Sequence, residues 1–193
     1  MGKIRCMIDE EARRFIAAQH IFFVASAPLD GNGHVNLSPK GLDTFRILGP
    51  TTVAYLDFNG SGVETIAHLR ENGRIVLMFC AFQGPPNIFR LYGVGRVVEP
   101  NQAEFAELAD NFPGYDHVRS IIVVEVDRVT DSCGYGVPRF KYEGEREQLA
   151  GWARKQGTEG LQAYRERKNQ QSIDGLPAIS VHENAQKDQK VVG

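Results

Sequence analysis

Hydrophobic and polar residues alternate along this chain in short blocks whose period changes several times between Ile8 and Val129. Ile8, Ala12, Phe15 and Ile16 recur at helical spacing, and Asp9, Glu10 and Glu11 stand where a helix start favours a cap and negative charge. This helix is expected to end near Gln19. His20 to Ala27 is rich in Ile, Phe and Val and predicts a buried strand. Asp30-Gly31-Asn32-Gly33 is a turn sequence, so Val35 to Ser38 is read as the returning arm of a hairpin. Pro39 and Gly41 then stop that strand and leave Lys40 on a bend.

Thr44 to Leu48 predicts a short strand closed by Gly49-Pro50, and Thr52 to Phe58 a clearer one. After Asn59-Gly60-Ser61-Gly62, the spacing of Val63, Ile66 and Ala67 predicts a helix that Asn72-Gly73 stops. His68 falls on its polar face. Arg74 to Phe82 and Ile88 to Val98 read as strands, the second with Gly93 and Gly95 inside it, as a bend, bulge or close backbone approach requires. Asn101 and Glu104 suggest a capped helix carrying Phe105, Leu108, Ala109 and Phe112. Arg119 to Val129 is a last strand, with Ile122, Val124 and Val126 opposite Glu125 and Asp127. The segment Cys133 to Pro138 is irregular. Two helical stretches follow, one with Leu149, Trp152 and Ala153 and one with Leu161 and Tyr164. Ser172 to Ile179 is expected to dock as an extended arm, and the chain is polar from Val181 onward.

Composition narrows the class. With 42% hydrophobic and 24% charged residues the chain can build one substantial core. A formal charge of −2 without a basic block argues against nucleic-acid binding. Three scattered cysteines make neither a disulfide framework nor a zinc site. No long apolar run predicts a leader or a membrane span, so a cytoplasmic protein is expected.

The most informative stretch is Asn59 to Gly62, a turn that feeds directly into a helix. Free N–H groups at such a start, with the helix dipole behind them, favour an anion. Ser61 can either bind that anion or cap the helix. Lys40 can reach an anion or project from an exposed turn. Arg90, among Ile88, Phe89 and Leu91, needs a partner, either a phosphate or a carboxylate such as Glu125 or Asp127. His34 is close enough in sequence to Asn36 and Ser38 to line the same cleft.

The strand HVNLSPKG, the strand-turn-helix YLDFNGSGVETIAHLREN and the strands RIVLMF and FRLYGVGRV occur in this order. In that arrangement the chain resembles the pyridoxamine 5'-phosphate oxidase-like family of FMN-binding split barrels. The resemblance implies a mainly β fold with helical additions (α+β), a six- to seven-stranded split β-barrel over residues 1–140. Residues 141–193 would form a helical extension and polar tail packed on the same domain. It further implies a homodimer with FMN between the subunits, and a flavin-dependent oxidoreductase acting on a small molecule. Carried over by position, the cofactor-binding residues would be Asn36, Ser38, Lys40, Asp57, Asn59, Ser61, Gly62, Thr65 and Arg90. The deazaflavin F420 in the same cleft, or a non-enzymatic flavin or haem carrier, are the alternatives. Pyridoxamine phosphate oxidases usually carry an Arg-Lys pair where this chain has Gly62-Val63, and end in a strand that this chain replaces with charged helices. A vitamin B6 substrate is therefore not assumed.

Overall fold

The computed structural model describes residues 2–179, so the tail from Val181 onward lies outside the described residues. Strands β1 (Ile4–Arg5), β2 (Phe22–Ser26), β3 (Asn36–Lys40), β4 (Phe45–Ile47), β5 (Thr52–Phe58), β6 (Arg74–Cys80), β7 (Ile88–Val98) and β8 (Val118–Ser132) form one antiparallel sheet. Helices α1 (Glu10–Ala17), α2 (Glu64–Glu71), α3 (Glu104–Ala109) and α4 (Gln148–Lys168) pack around it. The strand order is β3-β2-β6-β7-β8-β5-β4, with β1 paired to β8. Eight strands exceed the expected six or seven because β1, only two residues long, is too short for any periodicity to announce.

The two ends of this order curl towards each other. Phe22 of β2 meets Phe45 of β4 at 5.3 Å and Tyr55 of β5 at 5.6 Å between ring centroids, and Phe45 meets Phe79 of β6 at 5.0 Å. Packing rather than a hydrogen-bonded ladder closes this side, which makes the sheet a split β-barrel. Burying each such ring stabilises the fold by roughly 1.5–3 kcal/mol. Outside the barrel, α3 lays Phe105 and Leu108 on a second cluster of Ala54, Leu56, Val98, Ile121 and Val123. Residues Ile121 to Val124 of β8 are therefore buried on both faces.

Gly93 is where the chain requires a glycine. The β7–β8 register slips between Tyr92 and Gly93, and a Cβ on Gly93 would lie 2.0 Å from the Glu125 carbonyl oxygen. Gly73 has φ +71° and ends α2, the left-handed position that follows many helices. Asp9 caps α1 as expected, accepting the Ala12 N–H at 2.9 Å.

Several local expectations change. β3 runs through Pro39 to Lys40 instead of stopping, because it is an edge strand in which a missing N–H costs no ladder bond. Ala103, not Asn101, occupies the α3 cap position, without a side-chain bond. His68 is fully buried rather than on the surface, with Nδ1 2.9 Å from the Ser26 hydroxyl. The two C-terminal helical stretches join in α4, broken at Gly157 (φ 63°, ψ −180°). After α4, Ser172 to Ile179 docks on the core, but its first part is a tight turn and not extended, the Gly175 N–H donating to the Ser172 carbonyl at 3.0 Å. Ala178 is buried, and Leu176 and Ile179 pack against the main core. Among the described residues no helix is long and apolar enough to cross a membrane.

Candidate functional site

Period-two alternation puts Asn36, Ser38 and Lys40 on one face of β3, the half-buried one, while Leu37 and Pro39 are exposed. That face looks across at the end of β5 and the start of α2. The Asn36 Nδ2 donates to Thr65 Oγ1 at 2.9 Å, and the Ser38 hydroxyl donates to Asn36 Oδ1 at 3.1 Å. Two turns of the pleat further on, Lys40 Nζ donates to Asp57 Oδ1 at 2.8 Å. Asp57 is 1% exposed, and its other oxygen receives Nε and Nη2 of Arg119 at 2.9 and 2.6 Å. Burial pushes the Asp57 carboxyl up, but the charges and hydrogen bonds of Lys40 and Arg119 outweigh it and hold the group below its ordinary value. Two cations and one carboxylate leave this cluster with one net positive charge.

Arg119 also shapes the turn. Its Nη1 donates to the carbonyls of Gly60 and Gly62 at 3.4 and 2.8 Å, and Asn169 Nδ2 donates to Gly60 O at 2.9 Å. In a trans peptide the following N–H points opposite to the carbonyl, and among the described residues none of the peptide bonds is cis. Drawing those two carbonyls inward therefore turns the N–H groups of Ser61 and Val63 away from Arg119. Ser61 does not cap α2; Val63 holds that position without a side-chain bond. Asn59 is buried, its N–H and Nδ2 both donating to the His117 carbonyl, while its Oδ1 has no partner among the described residues. Tyr55 Oη and Ser120 Oγ, from the strands that carry Asp57 and Arg119, are likewise buried without partners among the described residues. These buried polar atoms leave hydrogen-bonding capacity beside the network for water or another polar group.

Lys40, Asn59 and Gly60 form the polar edge of a cavity of about 1190 Å³. Phe15, Phe23 and Phe58 line its barrel side, and Phe140, Tyr142 and Leu149 its C-terminal side. The irregular segment before α4 is held there by ring contacts, His20 against Tyr142 (3.7 Å, 5° between planes) and Phe82 against Phe140 (5.4 Å). A space of this size exceeds the roughly 300–1,000 Å³ of most small-molecule pockets. It is large enough for a small organic molecule; of the turn and the half-buried face of β3, Lys40, Asn59 and Gly60 line it.

The structure thus brings Asn36, Ser38, Lys40, Asp57, Asn59, Ser61, Gly62 and Thr65 into one region. It does not bring Arg90 there. Arg90 Nη1 donates to Ser132 Oγ at 3.1 Å, rather than to Glu125 or Asp127. Ser132 lies twelve residues along β8 from Ser120, the Cα partner of Asp57. His34, expected beside Asn36 and Ser38, is exposed and bound to Asp174 instead, Nδ1 to Oδ1 at 2.6 Å. Cys133 and Tyr135 are exposed on the segment after β8. Arg119 and Asn169 were not foreseen: each meets its partner across 62 and 109 residues respectively, and no local spacing marks such a pair.

Fold and site together define a split-barrel protein with a cationic, turn-edged cleft. Residues 8–133 match the family model described as Pyridoxamine 5'-phosphate oxidase, and the chain belongs to that family. It is not a close match to pyridoxamine phosphate oxidase itself. A relative from Aspergillus flavus, "Pyridoxamine 5'-phosphate oxidase family protein ustO", is 38% identical over 189 residues, covering 89% of this chain and 76% of that protein. Among solved structures, HupZ from Group A Streptococcus has the same fold. One form aligns with a TM-score of 0.52 at 23% identity, over 65% of this chain and 100% of that one. A second form gives 0.50 at 22% identity, over 64% and 92%.

Proposed function

We propose that this protein binds FMN in the cleft beside β3 and acts as a flavin-dependent oxidoreductase on a small molecule. The observation that carries the reading is the Lys40–Asp57–Arg119 network, which puts net positive charge and a pre-set turn at one edge of the cavity of about 1190 Å³. Ser61, Gly62 and Thr65 would offer hydroxyl and backbone donors to the phosphate, with Asn36 and Ser38 beside them and Lys40 supplying charge. The aromatic walls suit a planar ring system. Bound flavin supplies hydride or electron transfer; this chain supplies binding, orientation and exclusion of water. Exposed Val35 and Leu37 at edge strand β3 are compatible with a second copy completing the cleft, as a homodimer would.

The test is a titration of the purified protein with FMN and with riboflavin, followed by anaerobic NAD(P)H. Binding of FMN at tens of micromolar or tighter, on the order of −6 kcal/mol or better, with bleaching on reduction, is expected. Lys40→Ala should weaken FMN much more than riboflavin. Absence of FMN binding refutes the reading. Binding without reduction or turnover by any donor leaves a flavin carrier instead of an enzyme.

A further inference from the structure

The stretch after α4 crosses the candidate phosphate site at three points. At its start the buried Asn169 holds the Gly60 carbonyl. At its tip the Ile173 N–H lies 3.4 Å from Glu64 Oε1, on the first residue of α2. Next to it Asp174 takes the His34 N–H at 2.8 Å and meets His34 Nδ1 at 2.6 Å. Gly60 opens the turn, Glu64 precedes Thr65, and His34 stands two residues before Asn36. Each of the three fastenings is thus made in the turn itself or within two residues of the Asn36–Thr65 pair.

The two parts of this stretch are held differently. Ala178 is 1% exposed and Leu176 and Ile179 pack on the core, so the returning limb is anchored by apolar burial. The tip, residues 172–175, is a tight turn stabilised within itself: Ser172 Oγ accepts the N–H groups of Asp174 and Leu176 at 3.3 and 3.1 Å. Ile173 there is 71% exposed. Ser172, 7% exposed, is buried at the base of the tip, whereas among the described residues Ile173 and Asp174 are tied to the barrel by polar bonds to Glu64 and to the exposed His34. An element closed by a few solvent-facing hydrogen bonds opens at far lower free energy than the core it is attached to. Glu64 adds a further contact: its Oε2 lies against Gly62, where a Cβ would be only 2.6 Å away. The carboxylate that the tip holds is thus folded over the turn itself.

We propose that residues 172–175 are a strap over the phosphate site, closed by Asp174 on His34 and by the Ile173 N–H on Glu64. This rests on the flavin reading for the identity of what enters, not for the strap itself. When the tip lifts, Glu64 loses its tie and the turn is open to a phosphate; when it closes, the phosphate is sealed against exchange. The strap sets the rates of loading and release more than the affinity, because it obstructs both directions equally.

The experiment uses the full chain and the variants Asp174→Ala and Asp174→Asn. FMN association and dissociation rates, followed by flavin fluorescence, should both rise severalfold in Asp174→Ala with nearly constant Kd. Asp174→Asn, which keeps an acceptor for the His34 N–H, should fall between. Rates unchanged, or a change confined to dissociation, overturn the strap. In parallel, Thr65→Cys is labelled with iodoacetamide and read by peptide mass spectrometry, which separates it from Cys6, Cys80 and Cys133. Labelling should be slow with Asp174 present and faster with Asp174→Ala; equal rates overturn the strap whether or not FMN binds. A wild-type protein that fails to bind FMN refutes the flavin reading alone, since the labelling still reports on the tip.

Discussion

Replacing Asp57 by Asn tests the network on which the site depends. The side chain keeps its size and one acceptor but loses its charge, so Lys40 and Arg119 are left as neighbouring cations around a neutral amide. Arg119 is 4% exposed and cannot turn to water. Breaking a buried pair in this way costs about 3–5 kcal/mol, because the remaining charge keeps its desolvation penalty without its compensation. Arg165 of α4 adds to the cost: its Nε is buried without a partner among the described residues, and burial together with the charge of Arg119 already lowers its pKa. For 193 residues the unfolding entropy is on the order of 0.4 kcal/mol/K. Asp57→Asn should therefore lower Tm by on the order of 10 °C. Urea unfolding of the unliganded protein at pH 7, followed by circular dichroism, measures the free-energy difference directly.

The same variant predicts a pH dependence with a definite sign. The folded Asp57 carboxyl lies below its ordinary value of 3.8. Its contribution is thus fully present above the unfolded pKa and lost as pH falls through the lower, folded one. The gap between wild type and Asp57→Asn should hold from neutral pH down to about 4 and shrink only below that. A difference under about 1 kcal/mol at pH 7, or one that already closes near pH 6, would show that Asp57 does not hold Arg119 and the turn as described.

Gly93→Ala should cost about 1–3 kcal/mol or more, since its Cβ would meet backbone rather than a yielding side chain. Gly31→Ala, where a Cβ meets nothing within 4 Å, is the control and should stay within about 0.5 kcal/mol in the same urea titration. Arg90→Ala should leave FMN affinity unchanged, because Arg90 binds Ser132 away from the turn; a loss of FMN would mean that a partner copy brings it to the cleft. Tyr142→Ala removes the ring stacked on His20 and should speed entry of small aromatic probes into the cavity, read by stopped-flow fluorescence; unchanged entry would remove the segment before α4 from any role as a cover.

Much of the fold could be read along the chain, because the deciding interactions there are local. The strand Thr52–Phe58, the strand Ile88–Val98 and the cap at Asp9 follow from side-chain alternation and a single hydrogen bond three residues long. The glycine at position 93 announces a backbone irregularity, although its cause, the Glu125 carbonyl on the next strand, lies outside any local window. Pro39 misled in the opposite direction, because a proline stops a central strand and not an edge strand, and strand order is a property of the whole sheet. His68 likewise sits on a helix whose burial is decided by what packs over it.

The candidate site divides along the same line. Asn59 to Gly62, entering a helix, is legible as a place for an anion because peptide groups at a helix start carry unsatisfied N–H donors whatever surrounds them. Which cations stand near that turn is decided by the tertiary structure. Lys40 and Arg119 converge on Asp57 from β3 and β8, and Arg90, equally basic and equally placed within a strand, is held by Ser132 at the far end of β8 from Arg119. A charge acts over a few ångströms in space, and the chain distances of 17 and 62 residues in the Asp57 pairs are invisible to any sequence period. The residues by themselves determined that strands and a turn of this kind would form; the curl of the sheet decided which side chains meet there.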